Sequence, residues 1–328
     1  MASSRAEAAI QPRLAAFTSP FGPPMASNVS LSPASNPQQF WAENFTLHVF
    51  HLHAYRVLSM MALYQALYSL IIPSLACLLA PATYPKLVGI HRRRFLRVSI
   101  SMIQSSIATY FALRLNLFSQ RELAVTWQDR ICRYEDDTAK AMAYALGYLV
   151  WHFLETLVNW EDHSAPMKIH GLVTSTSVAL FFRPAVHYYA RQYLFMEMSN
   201  LCINIQRLLK WSGNSNVALD KFMSRLVLVG WGALRLVYGP IITFNMTWDF
   251  AAAARAAPVG VLLSNSPLVE QLGEIAPLND GLYDAPSVPV WISIVEVVST
   301  VTLIWESWVW FVGIWRKGDI SNGKVKAG

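Results

Sequence analysis

Between Lys168 and Leu209 the chain twice sets polar residues at helical spacing inside apolar sequence. His170, Thr174 and Ser177 fall at i, i+4 and i+7; Glu197, Asn200 and Asn204 fall at i, i+3 and i+7. Each spacing puts its set on one helix face. Upstream, Tyr144, Tyr148, His152 and Glu155 follow at i, i+4, i+8 and i+11, while Ser101, Gln104, Ser105 and Thr109 form another largely one-sided set. Arg235 stands in WGALRLVYGP, with Glu296 and Glu306 in the last apolar run. Imidazoles, carboxylates and a guanidinium on such faces can move a proton, orient a carbonyl or hold a charged headgroup. In a membrane helix a charged Asp, Lys or Arg costs about 2.5–3.5 kcal/mol at the centre, so these groups are expected to face one shared interior. Arg235 is expected to pair with Glu197 or Glu296.

The elements that must carry these faces are membrane helices. The chain has 328 residues, 54% hydrophobic and only 14% charged, with 12 Trp and 13 Tyr. Its mean hydropathy is +0.32. Soluble domains average about 25% charged residues, so a polytopic membrane protein is indicated. The net charge of +6 does not imply nucleic acid, because the basic residues cluster at the ends of apolar runs. A bilayer core needs roughly 20 apolar residues. Seven stretches qualify: 58–80, 98–116, 139–160, 169–189, 192–209, 223–246 and 289–313. The fold class is therefore an all-α transmembrane bundle of about seven spans, with the fourth and fifth split near Arg183–Arg191. Gly239-Pro240 is expected to kink the sixth span just after Arg235.

Residues 1–40, rich in Ala, Ser, Pro and Asn, read as a disordered tail without a signal-peptide core. Residues 41–56 alternate aromatics with His48, His51 and His53 and read as an interfacial lead-in to a first helix ending near 80, with the histidines at headgroup level. Basic residues crowd 81–97, 207–225 and the tail 316–328, which places those segments in the cytosol, the N-terminus in the lumen and the C-terminus in the cytosol. Sequons at Asn28 and Asn44 then lie on the lumenal side. Residues 251–288 form a long lumenal loop, with a lid as the alternative. Cys77, Cys132 and Cys202 make no disulfide framework, and no CxxC or HExxH metal spacing is present. No metal and no cofactor are expected.

Three ordered landmarks resemble the TLC domain, a membrane fold shared by ceramide synthases and a group of lipid-homeostasis proteins. They are Arg97-Val98-Ser99 entering an early span, Gly147-Tyr148 shortly before the polar His152, and Glu197-Met198-Ser199 followed by Asn204. The resemblance covers residues 90–315 and implies endoplasmic-reticulum residence. Ceramide synthases carry a His-His pair where this chain has Ile169-His170-Gly171; His152 stands where relatives commonly have Asp, and Gln104 where an early His is frequent. The chain is thus similar to the branch without synthase activity.

The reading that follows is a membrane protein that binds, senses or moves lipid and tunes membrane composition. Its cavity would be lined by Gln104, Tyr148, His152, Glu155, His170, Thr174, Glu197, Ser199, Asn200, Asn204, Arg235 and Glu296. The alternative is an N-acyltransferase using acyl-CoA as co-substrate and a sphingoid amine, with His170 as base supported by His152 and Glu155. There the basic segments Arg92–Arg97 and Lys210–Arg225 would attract the CoA phosphates. A proton-linked transporter is a third reading. The partner expected is membrane lipid, and oligomeric state is left open.

Overall fold

The computed structural model describes residues 50–117, 126–183, 186–211, 216–256 and 290–324. The tail 1–40, the sequons Asn28 and Asn44, His48 and the loop with its lid alternative beyond residue 256 lie outside them. Among the described residues every regular element is helical. We label them α1 (Phe50–Leu79), α2 (Gly89–Leu117), α3 (Trp127–Cys132), α4 (Asp136–Val158) and α5 (Ala165–Leu180). Then follow α6 (His187–Tyr193), α7 (Glu197–Trp211), α8 (Val217–Arg255) and α9 (Val290–Lys324).

Each expected span overlaps a helix, and among the described residues four helical stretches are long and apolar enough on their own to cross a membrane: α1, Trp127–Val158, α8 and Val290–Arg316. The polar residues of α2 dilute its hydropathy. With 16 residues, α5 reaches about 24 Å against a hydrocarbon core of about 30 Å. Its end at Leu180 corrects the expected span 169–189.

The fourth span's helix ends at Leu180 and the next begins at His187, with residues 184 and 185 outside the described residues, and Arg191 lies inside α6 rather than in the break. The break is held from outside the two helices. Val186, buried with a left-handed φ of 56°, donates its N–H to the Ile131 carbonyl at 2.6 Å. A β-branched residue in that region is strained. His187 Nε2 donates to the Phe181 carbonyl at 2.7 Å, while Nδ1 accepts from the Glu135 N–H at 3.0 Å. These bonds satisfy the exposed helix-end groups that a break creates.

Residues 50–56 of the expected lead-in belong to α1, which begins at Phe50; residues 41–49 lie outside the described residues. His53 is buried among protein side chains, bonding Tyr134 Oη at 3.1 Å, while His51 is exposed. The distortion expected just after Arg235 encloses it instead: residues Gly232–Tyr238, ahead of Pro240, form a π-helical segment. Leu67–Ile71 does the same ahead of Pro73. Proline has no N–H to donate and crowds the carbonyl four residues back, and a widened turn absorbs both defects.

The helices form a ring. α2 packs on α4, α4 on α5, α5 on α9, α9 on α8, α8 on α7, and α7 returns to α2. α1 lies outside that ring against α4. Their approach is closest at Gly147, where a Cβ would sit 2.6 Å from Met60 Cβ and 2.7 Å from the Val57 carbonyl. The main apolar core fills one end of the bundle with Met142, Phe181, Phe182, Tyr189, Met246 and Phe250. A second, built on Tyr64, Ile100 and Trp151, seals α1 to the ring.

Candidate functional site

The ring encloses a cavity of about 480 Å³. It runs along α5 from Met167 to Phe181, about 21 Å at ~1.5 Å per residue. At one end the lining residues Ala108, Met142, Phe181 and Ala190 are buried, so that end is closed. At the other, Arg207, Val309 and Gly313 are exposed, so that end is open. Polar side chains line the open half and the middle. The closed half is apolar apart from Ser177, Tyr193 and Thr300. An amphiphile is the molecule this gradient suits: its tail meets apolar walls and its head meets hydrogen-bonding groups.

Of the anticipated residues, Gln104, Tyr148, His152, His170, Thr174, Glu197, Asn200, Asn204 and Arg235 line this cavity. Two polar pairs define its middle. His170 Nδ1 lies 3.0 Å from Glu306 Oε2, joining α5 to α9. Arg235, in the π-segment of α8, donates through Nε to Ser199 Oγ at 2.9 Å and through Nη2 to Glu197 Oε1 at 3.4 Å. Its guanidinium also stacks 4.6 Å from the Trp231 ring centroid. Of the two carboxylates expected for Arg235, the structure gives it Glu197. Asn200 donates to Glu197 Oε2 at 2.8 Å, so both carboxylate oxygens are occupied. Asn204 donates to Ser101 Oγ at 2.9 Å and ties α7 to α2. Gln104 accepts from Tyr64 Oη at 2.5 Å, and Trp151 Nε1 donates to Gln65 Oε1 at 3.0 Å; both are polar links between α1 and the ring. His152 reaches the cavity from α4 and makes no side-chain hydrogen bond to a described residue.

Three anticipated residues stand apart from the lining. Ser199 sits behind Arg235, donating to the Met196 carbonyl at 2.6 Å. Glu296 is fully buried outside the cavity wall, accepting from Ser177 Oγ at 2.6 Å. Its Oε1 has no hydrogen-bond partner among the described residues. Glu155, expected beside His170, turns the other way. It accepts from Arg97 Nη1 at 3.1 Å and Asn159 Nδ2 at 2.9 Å, and lies 3.2 Å from His163 Nε2.

That second cluster closes the corner between α2 and the α4–α5 turn. Arg93 grips Asp162 with two hydrogen bonds of 2.6 and 3.0 Å. The Arg93 guanidinium holds the Asp162 carboxyl below its ordinary range. Burial, reinforced by Arg97, holds His163 below its ordinary 6.5. Arg97 Nη1 stands 2.5 Å from His163 Nε2. Arginine can only donate and a carboxylate can only accept, so Nε2 stands between a donor in Arg97 and an acceptor in Glu155.

Sequence reasoning left Glu306 out of the site, although a lone glutamate in IWESW was a usable signal. It also missed Arg207, which reads as a charge in a basic loop. Among the described residues no group of three or more His, Cys, Asp or Glu gathers to hold a metal.

A ring of helices, apolar outside, around a polar-lined cavity defines an all-α membrane bundle. A family profile described as TLC domain matches residues 94–316, which include every cavity-lining residue. The chain belongs to the TLC-domain family. An uncharacterized TLC domain-containing protein of Saccharomyces cerevisiae is 27% identical over 162 residues. The match covers 46% of this chain and 49% of the yeast protein, so it spans about half the relative's length. No solved structure matches the chain.

Proposed function

We propose that the protein holds a membrane amphiphile in the cavity between α2, α4, α5, α7, α8 and α9, and through it binds, senses or moves lipid to tune membrane composition. The supporting observation is the gradient along the cavity, from the exposed Arg207 through the polar Asn204 and His170 to the buried, apolar Ala108, Met142 and Phe181. One leaflet covers about 15 Å of the hydrocarbon core, so a cavity of about 21 Å can take a chain and part of its head. The open end carries the basic residues, which orients it toward the cytosol by the positive-inside rule; residence in the endoplasmic reticulum is part of the same proposal. The test is to purify the full chain in mild detergent, extract it and analyse the extract by mass spectrometry. A stoichiometric lipid is the expected result; a lipid-free protein that binds no amphiphile on addition contradicts the reading.

One observation favours an N-acyltransferase as second reading. Glu306 holds His170 Nδ1 and leaves Nε2 without a described partner at the cavity, the arrangement of a general base with an orienting carboxylate. His170→Gln would then abolish turnover of acyl-CoA and a long-chain amine. Glu155, committed to Arg97, contributes nothing to that base.

A further inference from the structure

Several of the basic residues that look available in the sequence are committed within the protein. Arg93 and Arg97 bind Asp162 and Glu155. Arg92 donates to Tyr84 Oη at 3.0 Å. Lys210 pairs with Asp220 at 3.3 Å. Inside the ring, Arg235 is held by Glu197.

Arg207 is different. It is a lining residue at the open end of the cavity, one turn from Asn204 on α7, and exposed. No described carboxylate lies within ion-pair reach of it, and it makes no hydrogen bond to a described side chain. Met167, in the first turn of α5, lines the same cavity. The rim therefore presents the Arg207 guanidinium above a cavity whose closed end has apolar walls.

We propose that Arg207 reads a phosphate group on the acyl-chain amphiphile held in the cavity. This rests on the amphiphile reading above and deepens it by naming the head. A guanidinium fork matches phosphate oxygens bidentately, with shorter and stronger bonds than neutral donors give. The chain would lie along Thr174, Val178 and Phe181, with its phosphate at the Arg207 rim. A phospholipid and a long-chain acyl-CoA share that chemistry, and the experiment separates them.

The test uses the full chain in detergent micelles and calorimetric titration. The probes are lysophosphatidic acid, the monoacylglycerol of the same chain, a long-chain acyl-CoA and inorganic phosphate. Wild type is expected to prefer lysophosphatidic acid to the neutral glyceride. Arg207→Gln is expected to weaken the phosphate-headed lipid by about tenfold and leave the glyceride unchanged. Arg207→Lys, which keeps the charge and loses the fork, is expected to fall between them. An Arg207-dependent gain for acyl-CoA over lysophosphatidic acid assigns the phosphate to a nucleotide thioester; the reverse assigns it to a lipid headgroup. Inorganic phosphate binding as well as either amphiphile overturns the inference. So does an Arg207→Gln protein with unchanged melting temperature that binds lysophosphatidic acid like wild type. A glyceride bound as tightly as its phosphorylated counterpart overturns this inference alone. A wild type that binds no amphiphile overturns the cavity reading with it.

Discussion

His170 Nδ1 and Glu306 Oε2 meet at 3.0 Å across 136 positions of sequence, and the glutamate is almost wholly buried. Glu306 Oε1 has no hydrogen-bond partner among the described residues. The carboxylate's one described hydrogen-bond contact is therefore the imidazole. Removing one partner from a buried pair leaves the other uncompensated, which costs more than the pair contributes. His170→Asn and Glu306→Gln are each expected to lower the melting temperature in detergent. The double variant is expected to lose less than the sum, with a coupling of about 1–2 kcal/mol. Additive losses in the four-protein cycle would mean the two side chains do not interact.

Gly147 illustrates a different constraint. A Cβ there meets Met60 Cβ at 2.6 Å and the Val57 carbonyl at 2.7 Å. The carbonyl is backbone and cannot swing aside, so α1 must move off α4. Gly147→Ala is expected to destabilise by roughly 1–3 kcal/mol. Gly171→Ala, whose nearest neighbour is the Phe153 ring at 3.1 Å, should cost less because a side chain can shift. Thermal unfolding of both variants checks the order.

The Arg93–Asp162 and Arg97–His163 contacts make stability depend on pH with one sign. Both Asp162 and His163 are held below their ordinary values. Each folded form therefore binds fewer protons than the unfolded chain as the medium acidifies, and stability falls as pH falls. The His163 contribution is complete above its ordinary 6.5 and is lost below it; that of Asp162 is lost below 3.8. Melting temperature is expected to decline from about pH 6.5 downward. His163→Gln, which keeps an acceptor for Arg97 but does not titrate, is expected to flatten the upper part of that decline.

Much of this was legible in the sequence because helical spacing fixes which residues share a face. Thr174 and His170, or Asn200 and Asn204, need only the helix to be placed together, and each pair lines the cavity. What spacing does not encode is what arrives from another helix. Glu155 follows His152 by three residues, yet Arg97 draws its carboxylate away from the cavity. Glu296 reads as one more inward acid, but Ser177 takes it into the packing behind the wall. Glu306 was passed over because its partner lies on α5. The π-segments before Pro73 and Pro240 were also hidden, since a proline announces a defect but not how many residues ahead of it the backbone will yield.

The central claim is that the space between these helices is occupied by an amphiphile. Val178→Trp places an indole into the apolar half, where Val178 lines the cavity, and leaves the His170–Glu306 and Arg235–Glu197 pairs intact. The decisive measurement is the amount of lipid that co-purifies with wild type and with Val178→Trp, quantified by mass spectrometry on protein of matched melting temperature. The account predicts about one amphiphile per wild-type chain and a large loss in the variant. Equal lipid in both, or none in either, would contradict it.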